Sequence, residues 1–111
     1  MMPRNFRIDE VRGLDPELVR MLDDARDIAK TSFVISKNGG FRPGDTKAHG
    51  LAKAADLKCS TSNKRQRMYD ALRAVGFKRI GIYDKHLHAD IATKADDPKY
   101  DQNVTWWGKS K

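Results

Sequence analysis

The chain contains three histidines, His49, His86 and His88, and each has an aspartate nearby. Imidazole beside carboxylate serves two kinds of chemistry: proton transfer near neutral pH and ligation of a divalent metal. In the run His86-Leu87-His88-Ala89-Asp90-Ile91, a β-strand would send successive side chains to opposite faces. His86, His88 and Asp90 would then line one face while Leu87, Ala89 and Ile91 enter a core. The competing interpretation is a solvated sheet face. A second cluster, His49-Gly50-Leu51-Ala52-Lys53-Ala54-Ala55-Asp56, separates histidine from aspartate by seven positions. On a continuous helix the two would share a face but stand about 10.5 Å apart along the axis. That is too far for one ion, whose ligand bonds are about 2.0 to 2.3 Å long. A shared ion requires the chain to turn back after His49, and Gly50, Ala52, Ala54 and Ala55 permit the close approach. The competing interpretation is an alanine-rich helix with an incidental histidine.

The elements that must position these groups can be read in order. Asp15-Pro16-Glu17 pairs a capping residue with proline at the first helical position, and Leu18, Leu22, Ala25, Ile28 and Ala29 follow at helical spacing, so a helix is predicted from about Pro16 to Lys30. Phe33 to Ser36 is a short β-rich run closed by the turn signal Asn38-Gly39-Gly40, and Phe41 to Lys47 reads as an ordered loop. Ala54 to Lys58 is predicted as a short strand. Ser62 to Val75 is predicted as a second helix that buries Met68, Leu72 and Val75 and stops at Gly76. Lys78 to Tyr83 and His86 to Ala92 alternate like paired antiparallel strands joined tightly at Asp84-Lys85. Thr93 to Asn103 is polar and loop-like, and Val104 to Trp107 is predicted to add an edge strand or cap the core. The expected fold class is α+β, with helices packed on one small antiparallel sheet.

Composition narrows the function classes. A length of 111 residues fits one domain, 1–111. The 22 Lys and Arg against 15 Asp and Glu give a formal charge of +7, which suits a polyanionic partner such as nucleic acid or the bacterial wall. The single cysteine, Cys59, excludes an internal disulfide and a cysteine-rich structural zinc site. The first residues lack the apolar stretch of a signal peptide, and no run of eighteen apolar residues occurs. The expectation is therefore synthesis in the cytoplasm, without membrane insertion.

The segment Lys47-Ala48-His49-Gly50-Leu51-Ala52-Lys53-Ala54-Ala55-Asp56-Leu57 resembles the Ser-x-His-x-x-Gly-x-Ala-x-Asp signature of zinc D-alanyl-D-alanine carboxypeptidases and related peptidoglycan endopeptidases (Hedgehog-type zinc peptidases), small phage endolysins among them. Gly39-Gly40-Phe41-Arg42-Pro43 is similar to that family's Ser-Gly-Tyr-Arg segment. Gly81 to Asp90 is similar to its closing strand with His-x-Asp. The three blocks lie in the family's order and span residues 39 to 90.

The resemblance implies that His49, Asp56 and His88 hold Zn2+ and that Arg42 meets a substrate carboxylate through two parallel hydrogen bonds. Two neutral imidazoles and one carboxylate would leave the ion a net positive charge and an open position, at which water ionises near neutral pH. It also implies a general base three or four residues before the last histidine. Lys85 holds the first of those positions and Asp84 the second, so Asp84 is the expected base, with His86 as the other candidate for proton transfer or oxyanion stabilisation. Asp90 is expected to orient a ligand histidine. Two positions depart from the family pattern: Lys47 replaces its serine and Ala52 its glycine.

The function so implied is hydrolysis of peptidoglycan stem peptides or cross-links by a monomeric D,D-carboxypeptidase or endopeptidase. Acting without a signal peptide, it would reach the wall after release, as a phage lysis enzyme does. No specific nucleic acid is expected as partner. The alternative from another class is a basic nucleic-acid-binding module using Lys64, Arg65, Arg67, Arg73, Lys78 and Arg79 against phosphates.

Overall fold

Asp15 and Pro16 begin the long N-terminal helix in the way their side chains favour. In the computed structural model, which describes residues 3–31, 34–36, 40, 48–100 and 103–108, the Asp15 carboxylate accepts a hydrogen bond from the Glu17 amide at 2.8 Å. Pro16 occupies the first turn, where its missing N–H costs nothing. A one-turn helix α1 (Ile8–Val11) precedes this helix, α2 (Pro16–Ala29). Lys30 ends α2 in the left-handed conformation at φ 52°, so the helix stops one residue before its expected limit. The second long helix, α3 (Ser62–Ala74), is capped by the Thr61 hydroxyl, which accepts from the Lys64 amide at 3.1 Å. It gives way at Val75 and at Gly76, whose φ is 105°.

The strands are β1 (Val34–Ile35), β2 (Ala54–Lys58), β3 (Arg79–Ile82), β4 (His86–Asp90) and β5 (Val104–Trp107), ordered β1-β2-β4-β3-β5 in one sheet. The β3–β4 hairpin turns at Asp84-Lys85, and the Tyr83 amide donates to the His86 carbonyl at 3.0 Å. Directly opposed residues run across the sheet in rows. Asp56 faces His88, His88 faces Gly81, and Gly81 faces Trp106. In the next row Ala54, Asp90, Arg79 and Val104 stand side by side.

The alternation predicted for β4 therefore extends over the whole sheet. Ala55, Leu57, Ile80, Leu87 and Ala89 point to one face and pack with Leu18, Leu22, Met68, Leu72 and Phe77 beneath the two helices. Each fully buried side chain of the Leu, Ile, Phe or Met type contributes about 1.5–3 kcal/mol. The opposite face carries the histidines. The buried Asp23 lies outside this pattern: its carboxylate accepts the Arg4 and Asn5 amides at 3.1 and 3.0 Å and ties the N-terminal segment to α2.

The fold is α+β as expected, but the sheet is mixed rather than purely antiparallel, because β5 pairs parallel to β3. The chain leaves β4 at Asp90, passes through a 3-10 turn at Pro98–Tyr100, and re-enters at Val104 on the far side of Arg79. It skips over β3 instead of adding beside β4, and the strand it joins runs in the same direction. No described helix is long and apolar enough to cross a membrane.

Candidate metal centre

The turn required after His49 is present. Residues 48–52 fold back through bonds from the Leu51 and Lys53 amides to the Ala48 carbonyl and from the Ala52 amide to the His49 carbonyl. Ala52 completes the reversal at φ 62°, the backbone region in which glycine is at ease and alanine is not. The chain then enters β2 and delivers Asp56 to the row where β4 supplies His88. The alanine-rich helix is thus overturned, and so is the solvated sheet face: His49 and Asp90 are buried, and Asp56 and His88 are largely covered.

His49, Asp56 and His88 each offer a ligand atom, and the three atoms lie within 4.8 Å of one another. The Asp56 Oδ1 is 3.5 Å from His49 Nε2 and 3.1 Å from His88 Nδ1. Two zinc bonds of about 2.0–2.1 Å at a tetrahedral angle separate their ligand atoms by roughly 3.3 Å, so both spacings suit a single small cation. The imidazole rings meet edge to face with centroids 5.2 Å apart.

Each imidazole is also held from behind. His49 Nδ1 lies 2.9 Å from the Gly40 carbonyl, and His88 Nε2 lies 2.8 Å from Asp90 Oδ2. Both outer partners are acceptors, so the outer nitrogens donate, and His49 Nε2 and His88 Nδ1 would turn their lone pairs to a cation bound beside Asp56. This is the arrangement that orients histidine as a metal ligand. The group can hold a metal ion.

The electrostatics couple the three groups. Burial pushes the Asp56 carboxyl up, but hydrogen bonds from His49 and His88 outweigh it and hold the group well below the usual carboxylate range. Burial alone would push His88 down, yet its bonds to Asp56 and Asp90 prevail and raise it.

His86 shares the face with His88, two residues back along β4. Its ring stacks on Tyr83 at 4.3 Å and 7°, and burial is the main cause that lowers its pKa. Asp84 lies in the exposed hairpin turn beyond the strand, where its backbone carbonyl accepts from Arg65 at 2.6 Å. Arg42 and Lys47 lie outside the described residues.

Sequence reasoning missed the aromatic wall of the site. Trp106 lies over Gly81, where an added Cβ would come within 2.6 Å of the indole. Its centroid is 5.3 Å from that of His88, and its Nε1–H donates to the Tyr83 hydroxyl at 3.0 Å. The available signal was Gly81, a glycine inside a strand, which marks close approach of another group. On the neighbouring row Arg79 bonds Asp90 at 2.8 Å.

Of the basic residues assigned to phosphate in the alternative, Arg79 and Arg73 are engaged within the fold, Arg73 on Tyr69, Thr105 and the Phe77 carbonyl, while Arg65 bonds the Asp84 carbonyl at the surface. Compared with family models, with curated proteins and with solved structures, the chain matches none.

Proposed function

We propose that the chain is a zinc-dependent metallopeptidase that hydrolyses peptide bonds of bacterial peptidoglycan stem peptides or cross-links. The observation that carries this reading is the convergence of His49, Asp56 and His88 from a turn and two strands, with both imidazoles held from behind by acceptors. Two histidines and one carboxylate suit zinc, and the three-ligand set is that of catalytic rather than structural sites. Once bound, zinc supplies Lewis-acid polarisation of an amide carbonyl and lowers the pKa of water.

The protein's own groups do the rest. His86, neutral because burial lowers its pKa, faces the same side as the ligands and accepts or returns the proton at an imidazole nitrogen. It is better placed for this than Asp84, which sits in the exposed turn. Trp106 walls one side of the ligands, and Arg42 grips the substrate carboxylate. A cleft of about 470 Å³, lined by Lys78, Arg79, Asp90 and Lys94 and by none of the three ligands, meets the site only at Asp90. The engagement of Arg73 and Arg79 in bonds within the fold weighs against the nucleic-acid alternative.

The test is digestion of purified peptidoglycan with added zinc, followed by mass spectrometry of the released muropeptides. The wild type should release peptide products, and His49→Ala should lose both stoichiometric zinc and at least 100-fold in activity. A His49→Ala variant that keeps full activity without zinc would refute the proposal. Chelation that leaves phosphate binding intact, with that binding weakened steeply by salt, would favour the alternative.

A further inference from the structure

The Asp90 side chain is 1% exposed, and a carboxyl group so deep in a fold needs partners that replace water. It has three. Arg79 Nε donates to Oδ1 at 2.8 Å, the Ala92 amide donates to the same oxygen at 3.3 Å, and His88 Nε2 lies 2.8 Å from Oδ2. Arg79 stands directly opposite Asp90 in the β3–β4 register. Its guanidinium sits over two rings, 4.9 Å from the centroid of Tyr100 and 5.4 Å from that of Trp106.

We infer that Arg79 is a positioning residue of the metal centre, acting through Asp90 to set the ring of His88. The inference rests on the reading of His49, Asp56 and His88 as a metal site. Its logic is a chain of fixed contacts. The two aromatic rings hold the guanidinium plane, the guanidinium pins one oxygen of Asp90, and the other oxygen is thereby aimed at His88 Nε2. A donor at Nε2 leaves the lone pair at Nδ1, the atom that faces Asp56. Lysine would keep the charge but not the planar, ring-stacked donor. Trp106 joins both ends of the device, since the same indole lies over Gly81, packs near His88 and contacts Arg79.

The experiment measures zinc affinity of the full chain by competition with a chromophoric chelator. It compares the wild type, Arg79→Met, Arg79→Lys, Asp90→Asn and the double variant Arg79→Met/Asp90→Asn, with each fold checked by near-ultraviolet circular dichroism. Arg79→Met should weaken zinc binding by roughly 10- to 100-fold, and Arg79→Lys by less. The double variant should bind no more weakly than Asp90→Asn alone, because the two residues act in series. Long-range 15N NMR of the metal-free protein at alkaline pH should show His88 protonated at Nε2 in the wild type and a mixture of tautomers in Arg79→Met.

A folded Arg79→Met variant that binds zinc like the wild type overturns the inference, and so do losses that add in full in the double variant. Should Arg79→Met fail to fold, the affinity and His88 tautomer of Arg79→Lys decide in the same way. Failure of the underlying reading looks different: a wild type that binds no zinc, or a His49→Ala variant that binds it undiminished, removes the metal centre and this inference with it. Zinc binding that depends on His49 and ignores both Arg79 variants removes the inference alone.

Discussion

Asp56 and His88 hold each other in charged form, and this pairing has a signature in pH. The folded pKa of His88 is raised, so its contribution to stability is complete below the ordinary imidazole value of about 6.5 and is lost as pH climbs through the raised value. The folded pKa of Asp56 is lowered, so its contribution is complete above the ordinary carboxylate value of about 3.9 and is lost only as pH falls through the depressed one. The metal-free protein should therefore be most stable between these limits and lose stability on the alkaline side. A bound metal ion, zinc on the proposed reading, would need the Nδ1 lone pair, so the stabilisation it adds should grow over the same alkaline interval. Calorimetry at pH 5.5 and pH 8, with zinc and with chelator, checks both signs; an equal zinc increment at the two values would count against the pairing. Cys59 takes no part in such chemistry, because burial pushes its thiol up to about 11.

The turn at 48–52 shows how a single backbone angle serves the site. Ala52 holds φ 62°, which costs a non-glycine residue about 1–2 kcal/mol, whereas glycine there gives back about 0.4–1 kcal/mol through its freer unfolded chain. The difference predicts that Ala52→Gly stabilises the protein by about 0.5–1 kcal/mol in denaturant unfolding, with zinc affinity unchanged. Much of the element layout was legible because it is written locally: Asp15-Pro16 announces α2, the alternation at 86–91 announces β4, and Asp84-Lys85 announces the hairpin. The ligand set was legible only through the resemblance, which names His49, Asp56 and His88; residue types and spacing alone left a solvated sheet face and an alanine-rich helix open, and showed that a shared ion needs a chain reversal after His49. What could not be read was non-local. The parallel pairing of β5 with β3 leaves no mark in either segment, and α1 is too short to show a period. Arg79 resembled any surface cation, although the two-residue hairpin loop already places it opposite Asp90. Trp106 could be assigned to the core or to an edge, but not to a place beside His88.

At the level of the molecule, several of the charges are paired, as in Arg4 with Asp24 and Asp27, Lys53 with Asp96, and Arg79 with Asp90, and the formal excess of +7 remains. The exposed pairs of Arg4 add little to stability, and the excess is better understood as an attraction toward polyanionic surfaces. On the proposed function, replacing the exposed Arg12 and Arg67 by glutamate should slow lysis of whole bacterial envelopes at least several-fold more than cleavage of a small soluble peptide. Equal slowing of both, followed by turbidity and by product analysis, would remove charge from the explanation. The pairing of β2 with β4 carries one more consequence. Asp56 and His88 meet because the two strands are aligned in one particular frame, and a shift by a single residue would turn one of them to the helical side. A cation that demands both groups would bind the true alignment and none of its neighbours, so that an ion acquired during folding would proofread the strand pairing as well as complete the site.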